Sequence, residues 1–107
     1  MLFRSSVAVL SDPEEASRGA DVLYTDVWAS MGQEAEAEER ALVFPAYALD
    51  GAKVDLAAPD VTVLHCLPAH RGMEITDEVI DGPHSRVLDQ AENRMHTQKA
   101  LLLRLLG

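Results

Sequence analysis

The sequence has a single cysteine, Cys66, so it can form no internal disulfide, and a reducing, cytoplasmic setting is the expectation. Positive charge is also scarce: nine Lys and Arg face eighteen Asp and Glu, for a formal net charge of -9. The summed field repels phosphodiesters and acidic headgroups, which argues against nonspecific partnership with nucleic acid or an anionic membrane. Long apolar runs are absent, since the longest stretch, 99–107, is broken by Arg104 and is too short to cross a bilayer. Met1-Leu2-Phe3 meets Arg4 and two serines at once, so no signal peptide is expected. No Gly-x-Gly-x-x-Gly follows any strand-like run, which leaves little support for a dinucleotide binder. His65, Cys66 and His70 lack a second Cys or His pair at ligand spacing, and no metal site is predicted.

What is present fits one domain: 107 residues, 48% apolar, enough for a modest core. Val7–Leu10 reads as a short buried strand, and Asp12-Pro13-Glu14-Glu15 follows with the cap, proline and acids of a helix start that Gly19 can end. Asp21–Val27 is the next strand, placing Asp26 near its carboxyl end. Ser30-Met31-Gly32-Gln33 has capping-box spacing and predicts a helix that Pro45 stops. The acidic run Glu34, Glu36, Glu38 and Glu39 lies on that helix and is most simply a solvated face. Ala46–Leu49 reads as a short extended segment, and a helix opened by Asp50-Gly51 ends before Pro59.

Val61–Leu64 is the last strand. A short helix follows over Thr76–Ile80, and Asp89-Gln90-Ala91-Glu92 resembles a capping box opening a terminal helix through Leu106. On that helix the leucines from Leu101 onward widen the apolar face beyond what a small sheet requires. Three or four strands alternating with helices predict an α/β fold: a partial Rossmann-like parallel sheet flanked by helices, with a long C-terminal helix. A doubly wound domain usually has five or six strands, so the chain reads as part of one.

Ligands of open α/β sheets gather beyond the carboxyl ends of the strands. There the sequence places His65-Cys66-Leu67-Pro68-Ala69-His70-Arg71-Gly72. Cys66 invites a nucleophilic reading with His65 or His70 as base. Against it, isolated cysteines are usually small buried hydrophobes, and neighbours on an extended chain point to opposite faces. Leu67-Pro68 turns the chain sharply, and with the isomer left open by the sequence, a cis bond there would aim the Cys66 and Leu67 carbonyls into the cleft. Asp26 reads either as a turn aspartate or as a carboxylate for an ammonium ligand, and Ser30-Met31-Gly32 as a ligand loop or a helix cap. Arg94, placed in the first turns of a helix, meets the wrong end of the dipole; Glu92 or an anionic or carbonyl-bearing ligand is the expected partner.

DVLYTDVWASMGQE from Asp21 to Glu34, HCLP from His65 to Pro68, and AENRMHT from Ala91 to Thr97 together resemble the ornithine-binding domain of ornithine carbamoyltransferases. The likeness extends from Val7 to the end of the chain, with the three motifs in family order. Aspartate carbamoyltransferases are similar in the proline loop and terminal helix, but the Ser-Met-Gly loop and the cysteine point to the ornithine branch.

The resemblance implies transfer of a carbamoyl group from carbamoyl phosphate to the δ-amine of L-ornithine, giving citrulline and phosphate, in arginine biosynthesis and the urea cycle, with no cofactor. It implies that Asp26, Ser30 and Met31 hold the amino-acid end of ornithine. It further implies that Cys66 and Leu67 present carbonyls to the carbamoyl amide, that Arg94 polarises its oxygen, and that Cys66 and Asp26 together orient or deprotonate the amine. Family members form homotrimers and carry an amino-terminal half with Ser-x-Arg-Thr and His-Pro-x-Gln motifs; this sequence has neither. The expectation is therefore that residues 1–107 are the C-terminal portion of the ornithine-binding domain, without the carbamoyl-phosphate domain, and inactive alone. The alternatives are a non-catalytic relic or interaction module, and a carbamoyltransferase for another amine such as putrescine.

Overall fold

A computed structural model of the chain describes residues 5–28, 42 and 44–107. Helix α1 (Pro13–Ser17) starts where the sequence asks it to: Asp12, in an extended conformation, accepts the Glu14 amide at 2.9 Å, and Pro13 occupies the first turn. Gly19 then takes a left-handed φ of 65°, a turn that favours glycine, and its amide reaches the Leu56 carbonyl at 2.9 Å. Strand β1 (Val22–Thr25) follows, then a 3-10 turn over Pro45–Tyr47 and helix α2 (Gly51–Leu56), whose cap is Asp50 accepting the Lys53 amide at 3.1 Å.

Strand β2 (Thr62–His65) pairs in parallel with β1, in the register Val22↔Thr62 through Thr25↔His65. Its far edge is also used: the Val63 amide donates to the His84 carbonyl at 2.9 Å, and the Arg86 amide to the Val63 carbonyl at 3.0 Å. Paired on both sides, β2 buries Val63 and His65 and leaves Thr62 and Leu64 half-buried, the period-two alternation of a strand. The core is small: Leu49, Val63, Ile75 and Val79, with Leu23, Val54, Ala69 and Ile80 packed against it. Helices α3 (Asp77–Ile80) and α4 (Val87–Leu106) complete the described elements. None of the helices among the described residues is long and apolar enough to cross a membrane.

The α/β class, the parallel pairing and the long terminal helix are as the sequence predicts. The strand count is not, because two ladder strands form among the described residues. Val7–Leu10 has no regular structure there, and Val7 and Val9 are exposed; apolar β-branched residues make a strand only where a neighbouring edge takes their amides. In 46–49, Pro45 tightens the chain into the 3-10 turn, and only Leu49 pairs, in an isolated bridge with Ile75. The terminal helix begins two residues before the Asp89 box, with Arg86 at the cap position, so Asp89 serves as a first-turn acid. The helix expected from Ser30 to Pro45 lies largely outside the described residues.

Candidate functional site

The register decides the site. Since Thr25 pairs with His65, the next residues, Asp26 and Cys66, leave the two strands side by side at their carboxyl ends. The Cys66 thiol donates to Asp26 Oδ1 at 3.0 Å, and the same oxygen accepts the Val27 amide at 2.7 Å. These two donors hold the Asp26 carboxyl below its usual range. Conversely the carboxylate acceptor, reinforced by burial and by its charge, pushes the Cys66 thiol up. Cys66 is thereby placed as a hydrogen-bond donor to the carboxylate, an arrangement that disfavours the thiolate a nucleophile needs.

The His65 ring is not available to Cys66 as a base. The His65 ring turns away: Nδ1 accepts the Leu67 amide at 2.8 Å, and Nε2 lies 2.8 Å from Oε1 of the buried Glu74. Because a backbone N–H can only donate, Nδ1 is the unprotonated nitrogen and Nε2–H is the donor to Glu74. Leu67 has a left-handed φ of 56°, and the Leu67-Pro68 peptide is cis. After the turn, the His70 amide returns to Glu74 Oε1 at 2.7 Å. Arg71 is tied to helix α3 through Asp77 at 2.9 Å and Asp81 at 2.6 Å, so its guanidinium does not enter the cleft; these carboxylates raise its pKa while it lowers that of Asp81.

Helix α4 closes the other wall. Gln90 Oε1 accepts the His65 amide at 3.0 Å, and its amide nitrogen donates to the Tyr24 hydroxyl at 3.1 Å, which joins the helix to both strand ends. An open cavity of about 680 Å³ lies between, lined among others by Tyr24, Cys66, Gln90, Arg94 and Thr97. Arg94 and Cys66 thus face one space, while Asp26 reaches its rim through the thiol. Glu92 is not the partner of Arg94, since it pairs with His96 at 3.3 Å, and among the described residues Arg94 has no ion pair. The longer helix also puts Arg94 in its third turn, beyond the reach of the terminal dipole. Arg94 stands exposed on the helix and lines the cavity. Ser30 and Met31, assigned to the ligand loop, lie outside the described residues.

Three residues at the site escape the sequence reading. Gln90 stands one turn before Arg94 on the same helical face, a spacing that could have marked it. Tyr24 lies inside an apolar strand, and Glu74 sits between Met73 and Ile75 as an isolated acid in an apolar run. Only tertiary contact explains these two.

The family model for Aspartate/ornithine carbamoyltransferase, Asp/Orn binding domain, matches residues 4–105. An ornithine carbamoyltransferase of Geobacter sulfurreducens is 63% identical over 102 residues, covering 95% of this chain and 34% of that protein. Among solved structures, ornithine carbamoyltransferase from Pyrococcus furiosus superposes with a TM-score of 0.80 at 61% identity, over 87% of this chain and 30% of the other. An acetylornithine transcarbamylase complexed with acetylcitrulline gives 0.74 at 35% identity, over 90% and 29%. The chain spans about a third of the length of the curated relatives it matches.

Proposed function

Because the chain belongs to the aspartate/ornithine carbamoyltransferase family, we propose that it supplies the ornithine side of a carbamoyltransferase active site. Residues 1–107 are read as the C-terminal portion of the ornithine-binding domain. The other two thirds of the relatives' length are read as the rest of that domain and a carbamoyl-phosphate domain that completes the site, within a homotrimer of the family type. The observation that carries this reading is the Cys66–Asp26 hydrogen bond at the paired strand ends, with Arg94 lining the cavity beside it.

In this reading Asp26, Ser30 and Met31 bind ornithine. Asp26 takes an ammonium, and its carboxylate, held beside the Cys66 thiol, orients the δ-amine and receives its proton. The Cys66 and Leu67 carbonyls accept from the carbamoyl amide, and Arg94 stabilises charge developing on the carbamoyl oxygen. The amine nitrogen attacks the carbonyl carbon, the C–O bond to phosphate breaks, and citrulline and phosphate result. No group on the chain need form a covalent intermediate, so positioning supplies much of the acceleration. The reaction is one of arginine metabolism, assigned to the cytoplasm, and residues 1–107 are read as inactive alone.

The test is co-expression with a separately encoded amino-terminal half of the family, supplied with carbamoyl phosphate and ornithine. Citrulline formation supports the reading, and its absence from a stably assembled pair sinks it. Running putrescine and acetylornithine beside ornithine decides the amine, a choice raised by the likeness to an acetylornithine transcarbamylase. A second reading, a non-catalytic interaction module, is favoured by one feature: Leu101, Leu102, Leu103, Leu105 and Leu106 are all exposed on α4.

A further inference from the structure

We propose that Glu74 is the positioning residue of the Cys66–Leu67 turn, acting through the His65 ring to fix the direction of the carbonyls that the proposed function assigns to the carbamoyl group. The inference rests on that function. Glu74 is fully buried, and its Oε1 takes two donors, His65 Nε2–H at 2.8 Å and the His70 amide at 2.7 Å. One oxygen therefore holds both ends of the segment Cys66–Ala69. Its Oε2 accepts no hydrogen bond, with His70 Nδ1 at 3.8 Å.

A buried carboxylate is a poor stability device, because an apolar side chain of similar volume often serves the fold as well or better. What this one determines is orientation. His65 Nδ1 can accept the Leu67 amide only while the proton sits on Nε2, and Glu74 Oε1 is the acceptor that keeps it there. Leu67 needs such a restraint, since its φ of 56° lies in a region disfavoured for a bulky side chain. Without the carboxylate the ring is free to present N–H at Nδ1, which meets the Leu67 N–H as donor against donor. The amide turns, and the Cys66 and Leu67 carbonyls turn with it.

The test uses nitrogen-resolved NMR of the histidine rings in the 107-residue chain, and kinetics of the chain paired with its amino-terminal half. The wild-type His65 ring is expected in the Nε2–H form with a protected Leu67 amide. In Glu74→Gln, whose Oε1 accepts the same two donors, both signals persist. In Glu74→Leu the ring becomes a mixture of tautomers and Leu67 loses its protection. In the paired enzyme Glu74→Leu lowers kcat by roughly tenfold or more, with the KM for ornithine little changed and most of the loss recovered by Glu74→Gln.

A wild-type ring in the Nδ1–H form overturns the inference, and this measurement decides even if Glu74→Leu does not fold. So does a folded Glu74→Leu with an unchanged Leu67 amide, or with the kcat of wild type. These results fall on this inference alone when wild-type pairs make citrulline. If wild-type pairs make none, the proposed function fails and takes the positioning role with it.

Discussion

Cys66 Sγ lies 3.0 Å from Asp26 Oδ1, although the two residues are 40 positions apart in the chain. The parallel register of the two short strands produces this contact, and it sets the protonation of both groups: the carboxylate is held as an acceptor and the thiol as a donor.

The first prediction concerns thiol reactivity. Only the thiolate attacks an alkylating agent, and the Asp26 acceptor, with its charge, raises the Cys66 thiol above its ordinary range. In Asp26→Ala the rate of reaction with iodoacetamide should rise at neutral pH, and its pH profile should move toward lower pH. An unshifted profile would show that Asp26 does not control the thiol in solution.

The pair also gives a window of stability. Asp26 has a lowered carboxyl pKa in the folded chain, so its contribution is present above the ordinary carboxylate range and is lost as pH falls through the folded value. Cys66 has a raised thiol pKa, so its contribution is present below the ordinary thiol range and is lost as pH rises through the folded value. The two overlap from about pH 5 to about pH 8. Urea midpoints of wild type and Cys66→Ala should differ most there and converge on both sides. A gap that widens steadily toward high pH would contradict the assigned directions.

Sequence patterning made much of this legible, and for identifiable reasons. Asp12, Pro13 and Gly19 act through their own backbone neighbours, so α1 could be read locally. Val61–Leu64 stood out because a strand paired on both edges is apolar nearly throughout. Val7–Leu10 has the same composition but no ladder in the described residues, since strand formation needs an edge and a sequence window contains none. Cys66, Asp26 and Arg94, which meet at the strand ends and the cavity beside them, were named from their motifs. Glu74 and Gln90, which hold His65 from opposite sides, were not, because their roles exist only once distant segments meet.

A third prediction tests the small core. Ile75 is fully buried against Leu49, Val63 and Val79, and it follows Glu74 directly, so its packing supports the turn from behind. Ile75→Ala should cost about 2–5 kcal/mol and Ile75→Val about 0.5–1.5 kcal/mol by urea denaturation, the usual range for buried truncations. Equal, small losses for both would mean that Ile75 is not packed as described. With four buried apolar residues in the cluster among the described residues, the alanine variant is expected near the limit of folding.

The last prediction separates Arg94 from every residue that holds the fold. It lines the cavity from α4 yet has no hydrogen bond or ion pair among the described residues, so its removal should leave the Tm of the chain within error. In the paired enzyme the proposed function makes Arg94 a donor to the carbamoyl oxygen, where loss of one such donor costs about 10²–10³ in kcat. Arg94→Ala should therefore abolish most citrulline formation without altering the melt. Arg94→Lys should restore little, because an ammonium is a point charge and cannot reproduce the planar fork of the guanidinium. If lysine restores full activity, Arg94 contributes only diffuse positive charge. If alanine lowers Tm as much as kcat, the arginine supports the helix, and the cavity it lines loses its assigned oxygen-binding wall.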